Sequence, residues 1–194
     1  MDFKERYQSL FQTSARLLVE PGQFWRETQK EKSTTEVFRD FFLPLAILAG
    51  VAIFLGELIT SAEFLFSYAI FRSLREIFSF ILQYFLSVYV LNELLTSFGG
   101  VKNRLAISRL VAYSLLPMLV VSFITGLFPA LYILEVLSLY GIFLFYKGVK
   151  GSLEIPEANK KWYAAIAFLL VFLIFMILNV TSWKLLQAFY GYGA

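Results

Sequence analysis

The sequence contains neither cysteine nor histidine among its 194 residues. Without cysteine, the chain can form no disulfide and has no thiol nucleophile. Without histidine, it can form no Ser-His triad, no histidine-ligated haem and none of the usual zinc sites. A metal site would need oxygen ligands, and the sequence contains no glycine-rich phosphate loop and no paired acid/base motif. We therefore predict no catalytic residues, no metal and no cofactor.

Charged residues are also scarce. They make up 16% of the chain, whereas 59% of the residues are hydrophobic and 19% are aromatic. The mean hydropathy is +0.70, which is too high for a soluble domain of this size. The net charge of +3 is small and forms no footprint for nucleic acid, so we expect membrane lipids as partners and no nucleic acid. The composition indicates an all-α integral membrane protein.

Long apolar runs predict five transmembrane helices, since about 20 apolar residues cross a hydrocarbon layer of ~30 Å. The predicted spans cover about residues 41–60, 77–98, 105–126, 129–146 and 162–183. They form a predicted five-helix membrane domain over residues 41–194, preceded by an amphipathic region over residues 1–40. Residues 61–76 carry Arg72, Arg75 and Glu76. We predict an interfacial segment there, and the alternative is that these residues belong to the second span.

The basic residues indicate the orientation of these spans. The N-terminal region and the loops 99–109 and 147–161 together hold fourteen lysines and arginines, whereas the opposite side holds Arg72, Arg75 and Lys184. The positive-inside rule then places the N-terminus in the cytoplasm and the C-terminus outside. No positively charged segment is followed promptly by a short apolar stretch and a cleavage site, so we expect no cleaved signal peptide. We predict a multi-pass protein of a cell membrane, the bacterial inner membrane.

The first residues predict an amphipathic helix. Its apolar face comprises Phe3, Tyr7, Leu10, Phe11 and Leu18. Such a helix either lies on the membrane surface or packs on the cytoplasmic side of the protein itself. Pro21 suits the first turn of a second short helix, on which Trp25 would be an interfacial anchor.

Polar residues within predicted spans are functional candidates, because polarity is costly in hydrocarbon. Asn92 and Glu93 lie near the inner end of the second span, and Arg109 lies at the start of the third. A short loop joins these ends, so we predict an ion pair between Glu93 and Arg109. The pair is either a structural clamp or a group that faces a ligand.

Glu57 and Glu135 are the second set of candidates, since both are predicted in the outer leaflet. Two converging carboxylates would bind a cation or pass a proton. The alternative is that Glu57 reaches the interface and that a protonated Glu135 donates a hydrogen bond.

The stretch from residue 98 to 117 predicts a turn followed by a kinked helix. Gly99 and Gly100 suit a helix C-cap, and Asn103 suits the N-cap of the next helix. Pro117 cannot donate to the carbonyl of Tyr113, so the third span should kink there. We expect Ser114 or a neighbouring helix to satisfy that carbonyl.

Five short motifs carry a resemblance to a known family. They are Pro21 with Phe24-Trp25, FGG at 98–100, RLVAYSLLP from Arg109 to Pro117, Pro129, and LYGIFLFYKG from Leu139 to Gly148. With the five spans and the cytoplasmic N-terminus, the sequence resembles the Yip1 family of small membrane proteins. The motif residues to which we assign structural roles are Pro21, Trp25, Gly99, Gly100, Tyr113, Pro117, Pro129, Tyr140 and Gly148.

The resemblance implies a helical domain of five spans without known catalytic residues. Eukaryotic members associate with Rab-type GTPases and with each other, and they carry an Asp-Leu-Tyr-Gly-Pro motif. That motif is absent here, so the chain looks more like the bacterial members. We predict a non-enzymatic scaffold, adaptor or membrane-organising protein, which meets a protein partner at its cytoplasmic face or self-associates. The alternative is a small oligomeric transporter, channel or lipid-handling protein that uses the intramembrane carboxylates.

Overall fold

The computed structural model describes residues 3–27, 33–61 and 63–191, with side chains from residue 8 onward. The described residues are almost entirely helical, with no strand among them. Five helices are long and apolar enough to cross a membrane within the described ranges. The described residues form seven successive helices. They are α1 (Phe3–Val19), α2 (Pro21–Glu27), α3 (Thr34–Thr60), α4 (Phe66–Ser97), α5 (Arg104–Leu127), α6 (Pro129–Ser152) and α7 (Glu157–Tyr190).

The membrane helices form a bundle in which α5 is the most enclosed. It packs against α3, α4 and α6, while α7 packs mainly on α4 and also on α6. Glycines allow α3 and α5 to approach closely, since a Cβ on Gly56 would lie 1.8 Å from the carbonyl oxygen of Gly126. Such close packing of small residues is typical of helix contacts in membranes.

The two N-terminal helices pack on the protein itself. Leu10 and Leu17 of α1 are buried, and α2 lies along α6. The buried face of the amphipathic region therefore packs on the protein itself, which is the second of the two alternatives. Phe3 and Tyr7 of the predicted apolar face lie outside the described side chains.

Helix α3 begins at Thr34, seven residues before the predicted start. Ser33 caps it, because the Ser33 hydroxyl accepts from the N–H of Glu36 and the Glu36 carboxylate accepts from the N–H of Ser33. A π-helical turn, Phe38–Phe42, precedes Pro44. Proline has no N–H for the helical ladder, and a π turn is one way to accommodate the missing bond.

Helix α4 is continuous over 32 residues and begins at Phe66. Residues 66–76 of the predicted interfacial segment therefore belong to the same continuous helix as the second span. Charged side chains in this part of the helix have polar partners on neighbouring helices. Arg72, for example, pairs with Glu57 of α3.

The turn between α4 and α5 confirms two local predictions. Gly99 has a φ of 80°, its N–H donates to Thr96, and the N–H of Gly100 donates to Leu95, which is the Schellman arrangement. The Asn103 side chain then accepts from the N–H of Ala106 at 3.0 Å and caps α5.

Helix α5 is interrupted at Leu115, two residues before Pro117, as the predicted kink requires. The Ser114 hydroxyl is buried and has no hydrogen-bond partner among the described residues. Ser114, the first of the two candidates, therefore does not satisfy the Tyr113 carbonyl. A neighbouring helix does pack against the kink. A Cβ on Gly141 of α6 would lie 2.7 Å from the carbonyl oxygen of Ser114.

Helix α6 changes character along its length. Its first part, Pro129–Leu139, is a 3-10 helix that contributes no buried residue, and its second part, Tyr140–Ser152, is α-helical. Pro129 occupies the first turn, where the missing N–H costs least. A 3-10 run of this length is uncommon, because its hydrogen-bond geometry is poorer than that of an α-helix.

Candidate functional site

Three residues of the motifs, Phe24, Trp25 and Tyr113, meet Phe41 in an aromatic cluster that joins α2, α3 and α5. The ring of Tyr113 lies edge-on to Phe24 at 4.9 Å, to Trp25 at 5.8 Å and to Phe41 at 4.7 Å between centroids. All four side chains are buried. Offset and edge-on ring pairs each add stability beyond the apolar area they bury. The cluster fixes α2 to the membrane bundle.

Glycines of α6 make room for this cluster. A Cβ on Gly148 would lie 2.7 Å from the indole of Trp25, and one on Gly151 would lie 3.0 Å from the Trp25 Cβ. The hydroxyl of Tyr140 donates to the carbonyl of Leu18 at 3.0 Å and ties the end of α1 to the same helix. Trp25 is only 2% exposed, so the prediction that it is an interfacial anchor is wrong. Its indole fills the space that side chains at Gly148 and Gly151 would otherwise occupy.

A large cavity, separate from the aromatic cluster, lies between α4, α5, α6 and α7. Its volume is about 660 Å³, within the range of sites that bind small molecules. Apolar side chains make up most of its wall and include Phe80, Phe145, Phe168, Phe172 and Phe175. Its polar lining includes Arg72, Arg75, Glu76, Gln83, Ser122, Glu135 and Asn179. The cavity is therefore amphipathic.

Arg75 and Glu76 form the polar centre of this cavity. Nη2 of Arg75 lies 3.1 Å from the Glu76 carboxylate, and both side chains are less than one-fifth exposed. The Ser122 hydroxyl of α5 donates to the other Glu76 oxygen at 3.1 Å. The guanidinium also lies 5.6 Å from the ring centroid of Trp183 of α7. Arg75 is thus held by the adjacent acid of its own helix and by an aromatic ring of α7.

Of the two carboxylates predicted in the outer leaflet, Glu57 has a basic partner. Arg72 and the Ser61 hydroxyl both donate to it, an arrangement that the cation-binding hypothesis did not include. Glu135 lies on the 3-10 part of α6 and lines the cavity. Within the described part of the chain, no group of three acidic residues could hold a metal ion.

Glu93 has a different partner from the one expected. Its exposed carboxylate pairs with Lys102 of the following loop, whereas Arg109 is buried. The predicted Glu93–Arg109 ion pair is wrong, because Glu93 is paired with Lys102 at the surface while Arg109 is buried. Asn92, beside Glu93, is half-buried. Arg109 instead lines a smaller cavity of about 340 Å³ with Trp25, Lys150 and Lys160.

The sequence contained a signal for the larger cavity that our interpretation missed. Arg72, Glu76, Ser79 and Gln83 recur at intervals of three and four residues, which places them on one face of a helix. Such a polar stripe on a membrane helix is expected to face the protein interior. The predicted second span begins at residue 77 and therefore leaves out Arg72 and Glu76. Asn179, which also lines the cavity, does not belong to a comparable stripe of polar residues.

Comparison with known proteins identifies a family. The model of the Yip1 domain matches residues 15–178, which is most of the chain. The match includes the aromatic cluster and the residues that line the larger cavity, except Asn179. No curated protein and no solved structure matches the sequence.

Proposed function

The chain belongs to the Yip1 family, and on that premise we propose that this multi-pass membrane protein is a non-enzymatic scaffold or adaptor that organises the membrane around it. The observation that supports this role best is the docking of α1 and α2 on the bundle. Trp25 and Tyr140 hold these helices in place. Residues 8–27 form a fixed platform, which is what a binding surface for a partner requires.

The outer face of the platform is suited to contact a partner. Phe11 and Val19 of α1 are 74% and 77% exposed, although both are apolar. Arg16 lies on the same helix and pairs with Glu27 at 2.6 Å. Exposed apolar side chains rimmed by charged ones are typical of surfaces that bind proteins or lipid headgroups. In our proposal the platform binds a cytoplasmic protein or an anionic lipid surface, or it contacts a second copy of the chain.

The basic loops support a cytoplasmic position for this face. Lys102, Arg104, Lys147 and Lys161 are exposed. They belong to the loops that the positive-inside rule places in the cytoplasm. The same rule places the C-terminus outside, and we propose the bacterial inner membrane as the location.

Site-specific crosslinking tests the scaffold proposal. A photoreactive residue at Phe11 or Gln12 of α1, in the full chain in native membranes, should crosslink to one defined protein or to an anionic lipid. The matched control is Leu82, which is exposed on the membrane helix α4 and should crosslink only to bulk lipid. If Phe11 and Gln12 give the same products as Leu82, the platform is not a binding surface.

The larger cavity favours the alternative role, a lipid-handling protein. It is amphipathic and lies at the centre of the bundle. The transport version of this alternative depended on free carboxylates, and Glu57 is engaged by Arg72. Proteoliposome ion flux that is unchanged in Glu57→Gln and Glu135→Gln would exclude that version and leave lipid handling as the alternative.

A further inference from the structure

The larger cavity is polar at one end and apolar at the other. Its charged residues lie near the ends of their helices: Arg72 and Arg75 in the first turns of α4, and Glu135 in the first part of α6. Phe145 and Phe168 line the cavity together with Ser114 and Leu115, which lie at the kink of α5. A site with this polarity fits an amphiphile whose headgroup is at the charged end.

The charged end lies at the depth of a lipid headgroup. A helix of 32 residues is ~48 Å long, about 18 Å more than the hydrocarbon layer. With the excess shared equally between its two ends, Arg72 lies at the boundary of the hydrocarbon and Arg75 about one turn inside it. A lipid whose headgroup contacts Arg75 therefore lies only a few ångströms, about one helical turn, deeper than the lipids of the surrounding bilayer.

Arg75 has unused hydrogen-bond donors. Its Nε and Nη1 are buried, and no described residue accepts from them. Deeper in the same cavity, Oε1 of Gln83 also has no donor among the described side chains and backbone, although Gln83 is only 2% exposed. Buried polar atoms are normally satisfied, and an unsatisfied set that faces one cavity points to a ligand. An arginine offers donors suited to a phosphate.

Glu135 provides the opposite charge. It lines the cavity and forms no ion pair with any described residue. The charged residues that line the cavity are Arg72, Arg75, Glu76 and Glu135, and Arg72 is paired with Glu57 outside that lining. An anionic headgroup would bring a further negative charge beside Glu76 and Glu135, whereas a zwitterionic headgroup would place each charge near its opposite.

We propose that the cavity binds a zwitterionic phospholipid of the ethanolamine type. Its phosphate accepts from Arg75, and its ammonium donates to Glu135. One acyl chain lies along Phe145, Phe168 and Phe172. The cavity is open beside Leu139, Ile142 and Phe172, which are exposed, and the second chain lies there in the bilayer. The inference specifies the ligand of the lipid-handling alternative and is independent of the scaffold proposal.

Native mass spectrometry of the purified full chain tests this proposal. The protein is titrated with phosphatidylethanolamine, phosphatidylcholine and phosphatidylglycerol that carry the same acyl chains. The ethanolamine lipid should bind most tightly, because only its headgroup combines a phosphate with an ammonium that donates hydrogen bonds.

Variants separate the two headgroup contacts. Arg75→Gln should weaken binding of all three lipids by about tenfold or more, and Arg75→Lys should restore part of it. Glu135→Gln should weaken the ethanolamine lipid more than phosphatidylcholine, because only the ethanolamine ammonium loses a charged hydrogen bond, and the preference for the ethanolamine lipid should disappear. Glu63→Gln is the matched control, because Glu63 is exposed at the same end of the bundle and does not line the cavity.

A further variant keeps the test informative if Arg75→Gln does not fold. Ser138→Phe places a ring in the cavity without changing any charge, and it should reduce binding of all three lipids. Equal affinity for the three headgroups, or a preference for phosphatidylglycerol, would overturn the ethanolamine inference while leaving lipid handling in place. Binding that Ser138→Phe does not change would overturn both.

Discussion

The indole ring of Trp25 lies against the α-carbon of Gly148. A methyl group on that carbon would lie 2.7 Å from Cζ2 of Trp25 and 2.5 Å from Leu110. Trp25 and Gly148 are far apart in the chain, yet this contact joins the N-terminal platform to the membrane bundle. It also explains why a tryptophan near the N-terminus and a glycine at the end of the fourth span belong to one set of motifs.

Gly148→Ala should loosen this contact. An extra methyl group in a packed interior typically costs about 1–3 kcal/mol, so the unfolding midpoint in detergent should fall and the fluorescence of Trp25 should shift. Gly22→Ala is the control, because nothing lies within 4 Å of a Cβ at that position. Equal midpoints for the two variants would contradict the packing described here.

Gly56→Ala should be more damaging than Gly50→Ala. At Gly56 the nearest atom is a backbone carbonyl oxygen of Gly126, whereas at Gly50 it belongs to the side chain of Ile77. A side chain can change rotamer, but a helix backbone has to move as a unit. Thermal unfolding in detergent measures both variants, and Gly191→Ala, whose Cβ would have ordinary contacts, is the control. A larger loss for Gly50→Ala would argue against the close α3–α5 crossing.

Glu57→Gln should destabilise the protein by about 1–3 kcal/mol, because it leaves the guanidinium of Arg72 without its carboxylate in a partly buried place. The double variant Glu57→Gln/Arg72→Gln should lose less than the sum of the single variants. Chemical unfolding of the four proteins gives the coupling free energy. Strict additivity would mean that the ion pair contributes nothing to the fold.

The orientation can be tested with single cysteines, since the natural sequence has none. Val101→Cys and Glu154→Cys should react with a membrane-impermeant maleimide only after the membrane is opened. Glu63→Cys should react while the membrane is intact. All three residues are exposed, so accessibility to the reagent reports the side of the membrane. The reverse pattern would invert the proposed topology.

Several features of the fold followed from the sequence because their causes are local. The apolar runs predicted five membrane helices. A segment that crosses lipid has to satisfy its backbone hydrogen bonds within itself, and a helix does so. The Gly99 turn and the Asn103 cap depend on residues within one or two turns of each other. The kink before Pro117 has a covalent origin.

The candidate site was less predictable because its residues come from distant parts of the chain. The second span was predicted to begin at residue 77, whereas α4 begins at Phe66, and the sequence near Arg72 does not show that Glu57 of another helix pairs with it. Glu93 was assigned the wrong partner, because spacing along the chain does not give the direction of a side chain around its helix.

The sequence by itself determined the class of this protein, the number of its apolar helices and the turns between some of them. These depend on the transfer of side chains into lipid and on hydrogen bonds between near neighbours. Only the tertiary structure decided that Trp25 is buried against Gly148 and that Arg75 and Glu135 line one cavity. Such contacts depend on how the helices are rotated and crossed, which side-chain packing between helices sets.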